Sequence, residues 1–206
     1  YAKGKYLKYL DADDFIYPHG LEIMVHTMEQ FPEAALGISQ KVVEDVKPYP
    51  FIMQPKETFR REFLMRGVLG IGPTATIIRR DAFETLGCFT GTRYIGDTEL
   101  WYKIALVYPV VKMEDNLIFW RQHDDQEITK GQERFFYLEN AFKLKFNTLH
   151  KKELPLGAPE RQMALKKLTH RFSRNIANLI LKGHIVLANT IRKSCGISWI
   201  KIIKAL

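Results

Sequence analysis

The sequence predicts an α/β core followed by a helical extension. Short β-branched and aromatic runs alternate with helical patterns up to about residue 127, whereas beyond it apolar residues recur at helical spacing. The charge is also uneven. Of 31 Lys and Arg and 23 Asp and Glu, 12 and 2 lie from Lys151 onward, leaving 19 against 21 before it: a near-neutral first part and a basic tail. With 206 residues and 46% apolar content, the chain holds one ordinary domain plus an appendage. We place the core at residues 1–128 and the extension at 129–206.

Taken in order, Ala2-Lys3-Gly4-Lys5 reads as the end of a helix with Gly4 at a left-handed cap, and Lys5 to Leu10 as a strand. A chain that opens this way, without an initiator Met, is expected to start inside a longer protein. Pro18 and Gly20 precede a helical pattern from Leu21 to Phe31, with Leu21, Met24, Val25 and Met28 at helical spacing. Ala34 to Gln40 reads as a short strand. Lys41 to Thr58, with three prolines and mixed polarity, reads as a long surface loop. Phe59 to Val68 predicts a short helix, Gly67, Gly70 and Gly72 a turn region, and Thr74 to Ile78 a strand. A short helix opens at Asp81 and closes at Gly87. Asp97 is placed to cap a helix running to about Val107, and strand-like runs follow at Val110–Met113 and Leu117–Arg121. Helices are expected over 132–150, 159–170 and 171–193, the last interrupted by Gly183.

The stretch YLDADDF puts Asp11, Asp13 and Asp14 directly behind an apolar run. Carboxylates at the carboxyl end of a strand in an open α/β sheet lie where ligands bind. Like charges this close raise one another's pKa unless a cation or helix terminus compensates. Mg²⁺ is a natural compensator, taking one or two carboxylates and leaving its other positions to water and phosphates. The competing reading is a turn in which Asp13 or Asp14 caps the following helix.

Four segments resemble family 2 glycosyltransferases, which have the GT-A fold, a Rossmann-like mixed sheet flanked by helices. AKGKYLKYLDADDFIYPHGLEIM is similar to the segment around that family's Asp-x-Asp motif. GPTATIIRRDAFETLGCF resembles its acceptor-side strand and helix. IGDTELWYKIA resembles the acidic segment that holds its base, and IFWRQH the Arg-x-His element that often follows. The resemblance covers roughly Ala2 to His123, and the family's first, nucleotide-binding half has no counterpart in the sequence.

The resemblance implies roles. Asp11 and Asp13 match the pair that holds Mg²⁺ or Mn²⁺ and the ribose-diphosphate of a nucleotide-diphosphate sugar, with Asp13 the first choice as direct metal ligand. Asp97 matches the general base. Gly96 stands where a Glu is common in the family, which leaves Glu99 as a second candidate. Arg121 and His123 fall where a charged donor and an imidazole meet the leaving diphosphate. Each has a plainer reading: Asp97 as a helix cap contributing about 1 kcal/mol, and Arg121 and His123 as a solvated strand end beside Asp124 and Asp125. Trp101, Tyr102 and Trp120 could stack on a sugar, but aromatics at such spacing usually form core, and they are left unassigned.

The implied function is metal-assisted, inverting transfer of a sugar from a nucleotide sugar to a carbohydrate or lipid-linked acceptor in polysaccharide or glycoconjugate synthesis. One alternative is a haloacid dehalogenase-type phosphatase, which also places Asp-x-Asp behind a strand. That type expects Thr or Val where Phe15 stands. The other alternative is a non-catalytic piece, expected to turn over poorly alone and to self-associate through an exposed sheet edge. The basic tail admits a solvated helical face or contact with anionic lipid. No nucleic-acid motif accompanies the charge, so nucleic acid is not an expected partner. Cys88 and Cys195 lie too far apart in sequence for a disulfide framework and read as structural thiols of a reducing compartment. No apolar run reaches the roughly 20 residues that cross a bilayer. The expected location is cytoplasmic, with the tail at the inner membrane face.

Overall fold

The computed structural model of the protein describes residues 2–40, 47–123 and 133–204. The first stretch of the predicted long loop, Asp124 and Asp125, and the expected boundary at 128 lie outside these. The chain divides into two compact units, residues 1–126 and 127–206.

The first unit contains, in order, β1 (Tyr6–Leu7), β2 (Phe15–Ile16), α1 (Gly20–Gln30), β3 (Leu36–Ser39), β4 (Phe51–Met53) and α2 (Pro55–Leu64). A 3-10 turn at Pro73–Ala75 follows, then β5 (Thr76–Arg79), α3 (Arg80–Thr85), α4 (Gly96–Val107), β6 (Val110–Met113) and β7 (Ile118–Phe119). Among the described residues, five strands form one mixed sheet in the order β1-β5-β3-β6-β4. β3 and β6 are parallel, and the other pairs are antiparallel. β2 and β7 form a separate two-stranded ribbon.

The central strand β3 is buried along its whole length, as a strand covered by helices on both faces must be. Gly37 shows how tightly α1 seats on one face. A Cβ there would lie 2.3 Å from Met113 Cε, 2.8 Å from Ile77 Cγ2 and 2.9 Å from Met28 Sδ. Met24, Met28, Ile77, Val111 and Met113 make the core beneath α1. α2 and α4 pack on each other, and Phe59, Phe63 and Tyr102 meet there edge to face or stacked.

Between α2 and α4 sits the buried carboxylate of Glu62. It accepts hydrogen bonds from the Tyr102 hydroxyl (2.6 Å) and from the backbone N–H groups of Val68 (2.8 Å) and Leu69 (2.9 Å). The Trp101 indole donates to the Ile71 carbonyl at 2.9 Å. These bonds fix residues 68–71, the approach to the Pro73–Ala75 turn. Trp101 and Tyr102 are thus core, and Trp120 is exposed.

Several boundaries differ from those predicted. Gly4 is not in the left-handed region and no helix ends there. The first strand is two residues long: only Tyr6 and Leu7 pair with β5, opposite Arg79 and Ile78. The described part of the expected loop, 47–58, holds β4 and the first turn of α2, with Pro55 at a first-turn position where its missing N–H costs nothing. The helix expected over 59–68 accordingly ends at Leu64.

The second unit contains α5 (Glu133–His150), α6 (Ala158–Leu181), α7 (Ile185–Ser194) and α8 (Trp199–Ile203). The break expected near residue 170 is absent: α6 runs through to Leu181, where Gly183 takes φ +83° and ends it. Phe142 stacks on Phe172 with centroids 4.1 Å apart, amid Ile176, Ala188, Ile191 and Ile202. Arg161 folds the preceding segment onto α6 by donating to the carbonyls of Leu156, Lys151 and Leu154. Among the described residues, no helix is long and apolar enough to cross a membrane. Cys88 and Cys195 are both free thiols.

Candidate active site

The acidic stretch leaves the sheet after Leu7 and turns at once, the Asp14 N–H donating to the Asp11 carbonyl at 3.1 Å. The chain then enters β2, which pairs Phe15 with Phe119 and Ile16 with Ile118. That pairing spans about a hundred residues of sequence and sets the Asp-x-Asp loop beside the Arg-x-His element. Gly20 fixes its position: a Cβ there would lie 2.1 Å from the Leu117 carbonyl oxygen, which itself accepts from the Tyr17 N–H at 3.2 Å.

His123 Nε2 lies 2.8 Å from the Asp13 carboxylate, and Asp14 accepts from the Arg121 backbone N–H at 3.1 Å. The bond to His123 holds the Asp13 carboxyl below its ordinary value, with Arg121 adding a smaller favourable charge. Asp11 behaves oppositely. Partial burial pushes its carboxyl up, and the charges of Asp14 and Asp13 add to this, against the Thr74 hydroxyl and Lys8.

Asp97 lies in the first turn of α4 but does not cap it; the N-cap position is Ile95. Its carboxylate accepts from the Thr98 N–H (2.6 Å) and hydroxyl (3.2 Å). Burial is the main cause raising its pKa, and the charge of Asp11 also raises it. The two carboxylates therefore share one electrostatic neighbourhood. Glu99 is occupied elsewhere. Burial raises its carboxyl, but the hydroxyls of Thr90 (2.6 Å) and Thr92 (3.1 Å) and the ammonium of Lys103 (3.4 Å) outweigh this and bring it down. A depressed carboxyl tied by two hydroxyls is a poor proton acceptor, so of the two carboxylates Asp97 takes up a proton more readily than Glu99.

Among the described residues, no group of three or more His, Cys, Asp and Glu side chains converges as a metal cage. The oxygens of Asp11 and Asp13 are of the hard type that Mg²⁺ or Mn²⁺ takes. A dication there fits only if water and a diphosphate complete its shell.

Two participants were not singled out from the sequence. Lys8 places its ammonium on the carbonyls of Thr74 and Tyr9, and Thr74, nearly fully buried, accepts from the Asp11 N–H at 3.0 Å. A lone lysine in the apolar run before the acidic cluster was the available signal. Thr74 carried none beyond its β-rich surroundings.

Residues 1–87 match the family model described as Glycosyl transferase family 2. Two uncharacterized glycosyltransferases, from Rickettsia typhi (strain ATCC VR-144 / Wilmington) and Rickettsia prowazekii (strain Madrid E), are each 22% identical over 208 residues. The alignments take in 94% of this chain and 63% of each relative, so the chain spans less than two thirds of their length. The match is to sugar transfer, and the phosphatase reading of the same Asp-x-Asp finds no support in it. The mixed sheet flanked by helices is the partial GT-A arrangement that such a match implies. Matched segment, architecture and relatives point the same way: over residues 1–87 the chain is similar to glycosyl transferase family 2.

Proposed function

We propose that the protein to which this chain belongs transfers a sugar from a nucleotide-diphosphate sugar to an acceptor hydroxyl, with inversion, in polysaccharide or glycoconjugate synthesis. The observation that supports this most is the β2–β7 pairing. It gathers Asp13, Asp14, Arg121 and His123 around one loop, while the charge of Asp11 reaches Asp97.

In this reading Asp97 accepts the proton of the attacking hydroxyl. The new bond forms to the anomeric carbon on the face opposite the departing diphosphate, which leaves with the electron pair. Arg121 and His123 face the diphosphate, where a guanidinium offers a fork of donors. Asp11 and Asp13 would hold Mg²⁺ or Mn²⁺, which supplies charge neutralisation for the leaving phosphates. Residues 1–128 form the catalytic core and 129–206 an extension. Its exposed Trp199, Ile200 and Ile203, beside Lys201 and Lys204, suit contact with an anionic membrane surface at the cytoplasmic face and a carbohydrate or lipid-linked acceptor there. The outer edge of β1 offers a route to self-association.

The test is a nucleotide-sugar panel with Mn²⁺ or Mg²⁺ on the full-length protein, read by diphosphate release. Asp13→Asn should abolish release while leaving the fold intact. Unchanged release in that variant would remove the metal role, and silence across the whole panel would remove the proposed activity.

A further inference from the structure

The five-stranded sheet does not itself hold the acidic loop in place. β1 pairs with β5 through two positions only, Tyr6 with Arg79 and Leu7 with Ile78. Beyond Leu7 no main-chain bond ties the segment to β5. The connection is taken over by side chains converging on one residue. The Lys8 ammonium donates to the Thr74 carbonyl, and the Asp11 N–H donates to the Thr74 hydroxyl at 3.0 Å. Lys8 also donates to the Tyr9 carbonyl at 3.1 Å. Thr74 cannot drift. It lies in the turn closed by Ala75 N–H to Gly72 carbonyl (3.2 Å) and by Thr76 hydroxyl to Pro73 carbonyl (2.9 Å). Glu62 and Trp101 anchor the residues leading into that turn.

We infer that Lys8 and Thr74 form a latch that registers the Asp11–Asp14 loop against the Gly72–Thr76 turn, and that Lys8 is a positioning residue for transfer. The inference rests on the proposed function for its catalytic meaning but not for its structural content. Lys8 is partly buried and carries a charge three residues ahead of Asp11, close enough for Asp11 and Asp14 both to favour its protonated form; burial nevertheless lowers its pKa to about 8. Below that value it gives the acidic loop a positive neighbour that belongs to the chain itself. An ammonium on a buried carbonyl also does what a neutral side chain of the same length cannot, since Met offers no donor.

The test uses hydrogen–deuterium exchange of the metal-free, full-length protein, following peptides that cover residues 8–17. Lys8→Met should speed exchange there at least tenfold while peptides from β3 and β6 keep the wild-type rate. Thr74→Val should do the same. Lys8→Arg, which restores charge and donors, should return exchange to within about threefold of wild type. In the transfer assay Lys8→Met should lower kcat by tenfold or more and leave the acceptor KM within twofold, again with rescue by Lys8→Arg. Unchanged exchange in Lys8→Met, or an Arg variant as loose as the Met variant, overturns the latch. Wild-type protein inactive on every donor, with the exchange pattern as described, counts against the proposed function and leaves the latch standing.

Discussion

Removing the buried Glu62 carboxylate should markedly destabilise the first unit. Its two oxygens accept from Tyr102, Val68 and Leu69 at 2.6, 2.8 and 2.9 Å, and its surroundings are buried. Glu62→Ala takes this acceptor away from three donors, at about 1–3 kcal/mol each; water reaching the new space recovers part, so the net loss is about 3–5 kcal/mol. Glu62→Gln keeps one carbonyl oxygen and loses the charge, at about 1–2 kcal/mol. At about 2–4 °C per kcal/mol, the alanine variant should melt on the order of 10 °C below wild type. Scanning calorimetry with urea titration at one pH gives both numbers. A Glu62→Ala protein within about 1 kcal/mol of wild type would refute the reasoning, because it would mean that the carboxylate does not hold residues 68–69.

Asp97→Asn should keep donor binding and lose transfer by about 10²–10⁴-fold, measured as donor calorimetry against product formation. Because burial raises the Asp97 carboxyl, the base is in its working, ionised form only above that elevated value. Transfer should therefore fall as pH drops through a point above the ordinary Asp value, and a flat acid limb would argue against Asp97. Gly20→Ala drives a Cβ against the Leu117 carbonyl, a backbone atom that cannot rotate away, and should cost about 1–3 kcal/mol in urea unfolding. It should also impair transfer by displacing the ribbon. In the second unit, Phe142→Ala removes the ring stacked on Phe172 and should cost about 3–5 kcal/mol by the same measurement.

The parts legible in the sequence are those governed by local patterning. The apolar spacing of Met24 and Met28 located α1 to within a residue, and Val110–Met113 coincides with β6. Gly87 and Gly183 both adopt positive φ, as expected where a helix closes. The misjudged parts depend on distant partners. Nothing within residues 47–58 announces that Phe51–Met53 pairs with β6, since the alternation is too short to stand out from its prolines. The strand read over Lys5–Leu10 is shorter in the fold, since only Tyr6 and Leu7 pair with β5. At the site, Asp11, Asp13, Arg121 and His123 were identifiable by type and order, and the ribbon brings their two segments together. Glu99 was a reasonable second carboxylate from spacing alone; only the fold reveals Thr90 and Thr92 turned toward it. Lys8 and Thr74 escaped notice because their partnership links residues 66 positions apart.

The join between Phe15–Ile16 and Ile118–Phe119 is only two rungs long and stands apart from the main sheet. Chemistry and solidity are thereby lodged in different places. Damage to the exposed rung, Phe15 with Phe119, would loosen the acidic and basic partners with little loss of the hydrophobic interior, whereas Ile118 of the other rung packs against the core beneath α1. A survey that ranks variants by heat resistance would pass over that outer rung.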